Sequence, residues 1–167
     1  MKVLEDKGGD LADNKDIQSF MHKVEEKGQT LLPVIVWTKS MNTGIKNIDE
    51  QHKRLHSVIS DLAKTLNQGK WSEVHDALFE ELTEYFTMHF AVEEGLMLAT
   101  FYPDYEHHRD MHNAFIRKVR DLRRMDIQGG RNVGRDALIF LSGWFVNHVL
   151  NVDKKMGKYI LEKSKRL

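Results

Sequence analysis

Histidine recurs at positions where an amphipathic helix normally carries apolar side chains. The chain holds nine histidines and no cysteine. Five of the histidines fall within four separate helical repeats of apolar residues: His52, His89, His108, His112 and His148. One buried histidine is usually a hydrogen-bonded packing residue, but five buried without partners would cost several kcal/mol, on the order of the usual desolvation penalty for polar groups. Since imidazole is a common metal ligand, the repeats indicate a shared metal site.

Two carboxylates fit the same site. Glu93 follows His89 by four residues, so both side chains share one helix face. Asp153 follows His148 by five residues, which places it about 140° round a regular α-helix. Asp153 therefore reaches the site only from the flank, or if the helix is locally distorted. Glu94 is expected to be a solvated helix charge.

The number of ligands narrows the kind of metal site. Seven donors are too many for one tetrahedral zinc. Two octahedral ions offer about twelve positions, which five imidazoles, two bridging carboxylates and a bridging oxide or hydroxide nearly fill. The one position left open suits a small diatomic ligand.

Four helices must position these side chains. The first is expected from a capping box at Asn47 and Glu50 to a stop at 67–70, and the second from an N-cap at Ser72. The third follows a turn with Pro103 in its first helical turn, and the fourth starts near Val133. Short connections make neighbouring helices antiparallel, and no strand pattern of any length appears. The predicted fold is all-α, an antiparallel up-down-up-down four-helix bundle with an N-terminal extension.

Residues 1–36 are predicted to be separate from the bundle of 37–167. Ile17, Phe20, Met21 and Val24 form one short amphipathic stretch. It is expected to be a short helix or a linker, either loosely attached, packed on the bundle or docked to a partner.

Composition excludes several classes of function. Lysine plus arginine and aspartate plus glutamate both number 25, so the net charge is zero. Neither nucleic acid nor a membrane is an expected partner. Without cysteine, thiolate and iron–sulfur sites are excluded. No signal peptide is recognised, and a cytoplasmic location is expected.

The chain resembles the hemerythrin family, in particular its bacterial members. Four blocks carry the resemblance, in order: IDEQH from Ile48, HFAVEEGLM from His89, YPDYEHHRDMHNAF from Tyr102 and WFVNHVLNVDKKM from Trp144. The resemblance implies two iron ions in an oxo- or hydroxo-bridged centre that binds O2 reversibly.

The resemblance also implies a role for each metal-binding residue. His108, His112 and His148 would hold the iron with no open position. His52 and His89 would hold the other iron, and Glu93 and Asp153 would bridge the two. The family shares the five-residue step from His148 to Asp153.

Four apolar residues near the ligands are candidates for an O2 pocket, although plain core packing explains them equally well: Ile48, Phe86, Phe115 and Trp144. Four histidines are not expected to bind metal. His107 is rotated about 100° from His108 and should face outward or lie at the rim. His56 is expected either to contact the metal ligands without binding metal or to be solvated. His22 and His75 are expected to be ordinary surface residues.

Three functions are compatible with this reading. The favoured one is a non-enzymatic protein for O2 storage, delivery or scavenging, with NO or azide-like anions as further ligands. The second is an O2- or redox-sensing domain that signals to a protein partner. The third is a di-iron enzyme acting on NO, peroxide or iron. Imidazole-rich ligation disfavours the enzyme, because ferritin-like oxidases use Glu-x-x-His motifs that are absent at this site.

Overall fold

The computed structural model describes residues 34–165, together with the backbone of 21–22, 25–26 and 29–30. Its elements in the second part of the chain are helical: α1 (Lys46–Asn67), α2 (Trp71–Thr100), α3 (Tyr105–Ile127), α4 (Val133–His148), a π-helical segment (Val149–Asp153) and α5 (Lys154–Ser164). A 3₁₀ turn, Lys39–Met41, precedes α1. None of the described helices is long and apolar enough to cross a membrane.

Helices α1 to α4 form the four-helix bundle that the sequence predicts. Each helix packs on the next, and α4 packs back on α1, which closes the ring. The loops between consecutive helices are short, so neighbours run antiparallel. Apolar residues at helical spacing, such as Leu55, Leu82 and Leu141, are buried in the common core.

Two apolar clusters fill the bundle, and the histidines lie between them. The larger cluster includes Leu55 and Phe115, which follow His52 and His112 by three residues. The smaller cluster includes Ile48, Met97 and Met156 at the other end of the bundle. The polar layer is therefore sealed from water on both sides.

The predicted N-caps are wrong. Helix α1 begins at Lys46, so Asn47 lies inside it and makes no cap. Asp49 accepts within the turn before the helix: its Oδ1 accepts from the backbone N–H of Thr43 at 2.6 Å and from the Thr43 hydroxyl at 2.8 Å. Helix α2 begins at Trp71, which puts Ser72 inside the helix. The observed N-cap residues, Ile45 and Lys70, make no side-chain capping bond, so the local capping signals do not set where these helices start.

Pro103 lies just before α3 rather than in its first turn. The helix begins at Tyr105, and the Tyr105 N–H donates to the Tyr102 carbonyl at 3.2 Å. The preceding helix ends at Thr100, and its C-cap residue Phe101 has a left-handed φ of 55°. The reversal between α2 and α3 is thus made by Phe101 and the turn that follows it.

Part of the N-terminal region is extended. Strand β1 (Met21–His22) pairs antiparallel with β4 (Val34–Ile35), and β2 (Glu25–Glu26) pairs with β3 (Gln29–Thr30). Met21 is therefore in a strand and not in the short helix allowed by its amphipathic pattern, because its backbone bonds to a segment that is anchored on the bundle. Ile17, Phe20 and Val24 lie outside the described residues.

The anchor of that segment is Ile35. Its side chain is buried in the larger apolar cluster. Its carbonyl lies 2.8 Å from Nε2 of His56, which is on α1. Trp37, two residues on, packs against Phe145 with ring centroids 6.3 Å apart. The end of the predicted extension is therefore part of the bundle wall.

Candidate metal centre

All seven predicted metal ligands are buried in one layer of the bundle. Helix α1 contributes His52, α2 contributes His89 and Glu93, α3 contributes His108 and His112, and α4 with the π-helical segment contributes His148 and Asp153. None of these side chains is more than 2% exposed. Helical spacing turns the five histidines and Glu93 inward, as the apolar repeats predict.

The seven side chains form two overlapping groups, each suited to one metal ion. In each group the candidate ligand atoms lie within 4.8 Å of one another. One group contains three imidazoles and a carboxylate: His108, His112, His148 and Glu93. The other contains two imidazoles and two carboxylates: His52, His89, Glu93 and Asp153.

Glu93 turns one oxygen toward each group. Its Oε1 lies 3.4 Å from Nε2 of His89 and 3.8 Å from Nε2 of His52. Its Oε2 lies 3.1 Å from Nε2 of His112 and 3.5 Å from Nε2 of His108. A carboxylate in this position is able to bridge two ions.

Asp153 has the same two-sided arrangement. Its Oδ1 lies 3.1 Å from Nε2 of His148 and 3.3 Å from Nε2 of His108. Its Oδ2 lies 3.1 Å from Nε2 of His52. Both carboxylates therefore touch both groups, and the layer has the layout of a binuclear site.

A change of helix type brings Asp153 into the layer. Residues Val149–Asp153 are π-helical, and the N–H of Lys154 bonds to the carbonyl of Val149 across five residues. In such a turn, side chains five apart lie one above the other. Of the two alternatives that the spacing of His148 and Asp153 left open, the structure has the local distortion.

The buried polar atoms of this layer lack ordinary partners. Both ring nitrogens of His52 and His108, and all four carboxylate oxygens of Glu93 and Asp153, make no conventional hydrogen bond. Within the described part of the chain, the ion pairs of these carboxylates involve only histidines. Two buried negative charges without a lysine or arginine need a cation, and imidazole and carboxylate donors suit iron or a similar ion.

The pKa shifts indicate that both carboxylates of the layer are ionised. Burial alone would raise the pKa of Glu93 and Asp153, but the surrounding imidazoles outweigh it and lower both pKas well below the ordinary range. Burial lowers the pKa of His89 to about 4. Burial also opposes protonation of His108, but Asp153 and Glu93 outweigh it and raise the pKa to about 9. The carboxylates are therefore ionised, as metal binding requires.

Two of the ligand imidazoles are hydrogen-bonded through Nδ1 to residues that the sequence analysis did not assign to the site. Nδ1 of His89 lies 2.9 Å from Oε1 of Gln51, and Nδ1 of His112 lies 3.0 Å from Oε1 of Glu94. Glu94 is therefore not the solvated charge that its position next to Glu93 suggested. Both residues adjoin a ligand on their own helix and reach a ligand on the neighbouring one, a relation that only helix packing reveals.

Three of the predicted pocket residues lie on one side of the layer. The rings of Phe86 and Trp144 are 4.1 Å and 4.2 Å from that of Phe115, and Trp144 stacks on His148 at 4.2 Å. Phe90, which the sequence analysis did not single out, stacks on His112 at 3.7 Å. The fourth predicted residue, Ile48, is buried in the smaller apolar cluster.

Different aromatic residues lie beside the other two imidazoles. The ring of Tyr85 stacks on His89 at 5.2 Å, and the ring of Phe145 lies edge-on to His52 at 6.2 Å. Both belong to the larger apolar cluster. Their helical positions are ordinary core positions, so the sequence carries no signal that separates them from other core residues.

The remaining histidines stand apart from the two groups. His107 is exposed, as predicted. His56 is half-buried and bonds to the Ile35 carbonyl, while Nδ1 of His75 lies 2.6 Å from Oδ2 of Asp126. His75 is therefore a link between α2 and α3 rather than an ordinary surface residue. The backbone of His22 is in β1, and its side chain lies outside the described residues.

The fold and the site together define a helical-bundle protein with a buried site for two metal ions. The profile of the Hemerythrin HHE cation binding domain matches residues 43–160. The chain belongs to the hemerythrin family.

Curated relatives agree with this assignment. A protein named Bacteriohemerythrin from Pseudomonas aeruginosa is 40% identical over 119 residues, which are 71% of this chain and 76% of the relative. Another Bacteriohemerythrin, from Methylococcus capsulatus, is 31% identical over 127 residues, or 75% of this chain and 96% of the relative. A Hemerythrin-like protein from Naegleria fowleri is 28% identical over 119 residues, 71% of this chain and 87% of the relative.

Proposed function

We propose that the bundle holds two iron ions and binds O2 reversibly. The observation that carries this proposal is the pair of buried carboxylates, Glu93 and Asp153, each with one oxygen near each histidine group. Such an arrangement suits two ions held side by side. When bound, the iron pair supplies the electrons that O2 takes up.

The two halves of the site differ in their number of imidazoles. His108, His112 and His148 surround one position, and His52 and His89 surround the other. With both carboxylates shared, the second position has one nitrogen ligand fewer. That position, beside His52 and His89, is where a small ligand binds.

The protein environment favours binding over turnover. Neutral imidazoles outnumber carboxylates, which disfavours the most oxidised states of iron that oxidases use. Aromatic rings stack on His112 and His148, and the layer is closed to solvent by apolar residues on both sides. Exclusion of water protects a bound, partly reduced ligand from protonation and loss.

Metal analysis and optical spectroscopy test this proposal. The purified protein should hold two irons per chain, and the anaerobically reduced protein should give a coloured adduct on exposure to air that is reversed by removing O2. One zinc per chain, or a colourless iron-free protein, contradicts it. Sustained consumption of NO or peroxide under turnover conditions would instead support an enzyme.

A sensing role is the second candidate, and one contact favours it. Trp37, in the segment that leads to the N-terminal region, packs on Phe145, and Phe145 packs on His52. The state of the metal pair is thereby linked to residues outside the four helices. Protease susceptibility ahead of Val34, compared between the reduced and the O2-bound protein, tests this role; equal cleavage in both states contradicts it.

A further inference from the structure

Tyr85 carries a buried hydroxyl group without a partner. The residue is 5% exposed, and its oxygen has no hydrogen-bond partner among the described residues. Leaving a buried hydroxyl unsatisfied costs about 1–3 kcal/mol. Phenylalanine has almost the same shape and carries no such cost, so the oxygen needs an explanation.

The residue that carries this hydroxyl contacts the half of the site formed by His52 and His89, which has one nitrogen ligand fewer and which we call the open half. The Tyr85 ring stacks on His89 with centroids 5.2 Å apart and planes at 28°. The ring of His89 is in turn 4.9 Å from that of His52. Tyr85 therefore stacks on one of the two imidazoles of the position that has one nitrogen ligand fewer.

The hydroxyl of Tyr85 has a proton to donate, and it has no acceptor among the described residues. Its ring packs edge-on against Phe86 at 5.1 Å, and Tyr85 belongs to the larger apolar cluster. An unpartnered donor in an apolar layer suits an electron-rich ligand that arrives after folding.

We propose that Tyr85 is a specificity residue that donates a hydrogen bond to the small ligand held beside His52 and His89. This inference rests on the proposed function and deepens it. The ligand class is a diatomic or triatomic species that carries negative charge once bound, such as O2 at a reduced iron pair or azide at an oxidised one. A hydrogen bond to a charged acceptor is roughly twice as strong as a neutral one, so it selects such ligands and slows their release.

The test compares Tyr85→Phe with Tyr102→Phe. Both variants remove one hydroxyl from a tyrosine that is 5% exposed. Tyr102 lies at the opposite end of the layer, with its ring 6.5 Å from that of His108. The second variant thus controls for loss of a buried phenol near the other half of the site.

Four measurements are made on each protein: iron content, the dissociation rate of O2, the Kd of azide for the oxidised form, and the shift of the bound-azide vibration between H2O and D2O. Both variants should keep two irons. Tyr85→Phe should release O2 about 10- to 100-fold faster and weaken azide by a similar factor, the range of one hydrogen bond to a charged group. The solvent-isotope shift should be present in the wild type and in Tyr102→Phe, and absent in Tyr85→Phe.

Three outcomes overturn the inference in distinguishable ways. If Tyr85→Phe holds two irons and matches the wild type in O2 release, azide affinity and isotope shift, Tyr85 is not the donor, while the proposed function stands. If Tyr102→Phe changes as much as Tyr85→Phe, the effect is not specific to the open half. If the wild type binds neither O2 nor azide, the proposed function fails and this inference fails with it.

A stability measurement guards against misfolding as an explanation. Because Tyr85→Phe removes only an unpartnered hydroxyl, the metal-free variant should unfold at the same or a higher temperature than the metal-free wild type. A lower temperature together with lost iron would show that the hydroxyl is structural and would contradict the proposal.

Discussion

At the scale of single residues, adjacent histidines have opposite environments. His108 is buried and touches both carboxylates, while His107, one position earlier, is exposed. The rotation of about 100° per residue in an α-helix accounts for this difference. The six-residue stretch from His107 to His112 thus holds three histidines, two facing inward and one on the surface.

This difference leads to a first prediction. His107→Ala should retain two irons per chain with unchanged optical bands, because its side chain does not enter the layer. His108→Ala should hold fewer than two, because it removes a nitrogen near both carboxylates. Metal analysis after identical purification measures the effect, and iron loss in His107→Ala would contradict the assignment.

A second prediction concerns Glu94. Its carboxylate accepts from the outer nitrogen of His112, which orients the ring and increases its basicity. Glu94→Gln should still bind iron, but about 10- to 100-fold less tightly, in line with other changes behind metal ligands. The measurement is competition with a chelator of known affinity.

The matched control for Glu94 is Glu84→Gln on the same helix. Glu84 is exposed and lies in none of the described ion pairs, so iron binding should not change. Equal effects of the two substitutions would indicate that loss of negative charge, and not the bond to His112, weakens the site.

At the scale of elements, the long fourth helix is built from three parts. Helix α4 ends at His148, the π-helical segment covers Val149–Asp153, and α5 follows. The wide turn places two ligands five residues apart on one face, and α5 continues to bury apolar side chains such as Met156 and Ile160. This element therefore places two metal ligands on one face and also buries apolar side chains in the core.

A third prediction compares two glycines inside helices. A Cβ at Gly157 would lie 2.7 Å from the Thr43 carbonyl oxygen, whereas a Cβ at Gly95 would meet no atom within 4 Å. Gly95→Ala should stabilise the protein by up to about 1 kcal/mol through helix propensity. Gly157→Ala should destabilise it, because the backbone turn that it meets precedes α1 and must shift.

Thermal unfolding of the two glycine variants gives the readout. The melting temperatures should move in opposite directions from that of the wild type. A rise for Gly157→Ala would show that the contact between α5 and the turn at Thr43 is looser than the structure indicates.

At the scale of the whole molecule, the bundle is larger than its four helices. Ile35 is buried in the core, its carbonyl bonds to His56, and Trp37 covers Phe145. Residues on both sides of the boundary predicted between 36 and 37 therefore pack on the bundle. We propose that the boundary lies before Val34.

The fourth prediction is made at this scale and uses two truncations. Removing residues 1–30 should leave the bundle folded with two irons. Removing residues 1–37 should cost about 1.5–3 kcal/mol more, because it deletes the buried Ile35 side chain. Urea unfolding measures the difference, and equal stability of the two truncated proteins would contradict it.

The same truncations separate storage from sensing. If removal of residues 1–30 leaves O2 affinity and autoxidation unchanged, those residues take no part in ligand binding. Changed affinity with intact iron content would support a link from the N-terminal region through Trp37 and Phe145 to His52.

Much of the site follows from the sequence alone, for a physical reason. Helical periodicity and the cost of burying unpaired polar groups act along one helix at a time, so they reveal inward-facing histidines without knowledge of the neighbours. The bundle, its helix order and the seven inward side chains are determined at this level. The spacing of His148 and Asp153 left two alternatives, an approach from the flank or a locally distorted helix.

The tertiary structure alone decides what lies across a helix interface. Glu94 and Gln51 bond to histidines on other helices, Tyr85 adjoins the open half, and Phe145 links the site to Trp37. The strand at Met21 likewise depends on its pairing with Ile35. Such contacts depend on the rotation and axial position of two helices relative to each other. The apolar period of a single helix specifies neither quantity.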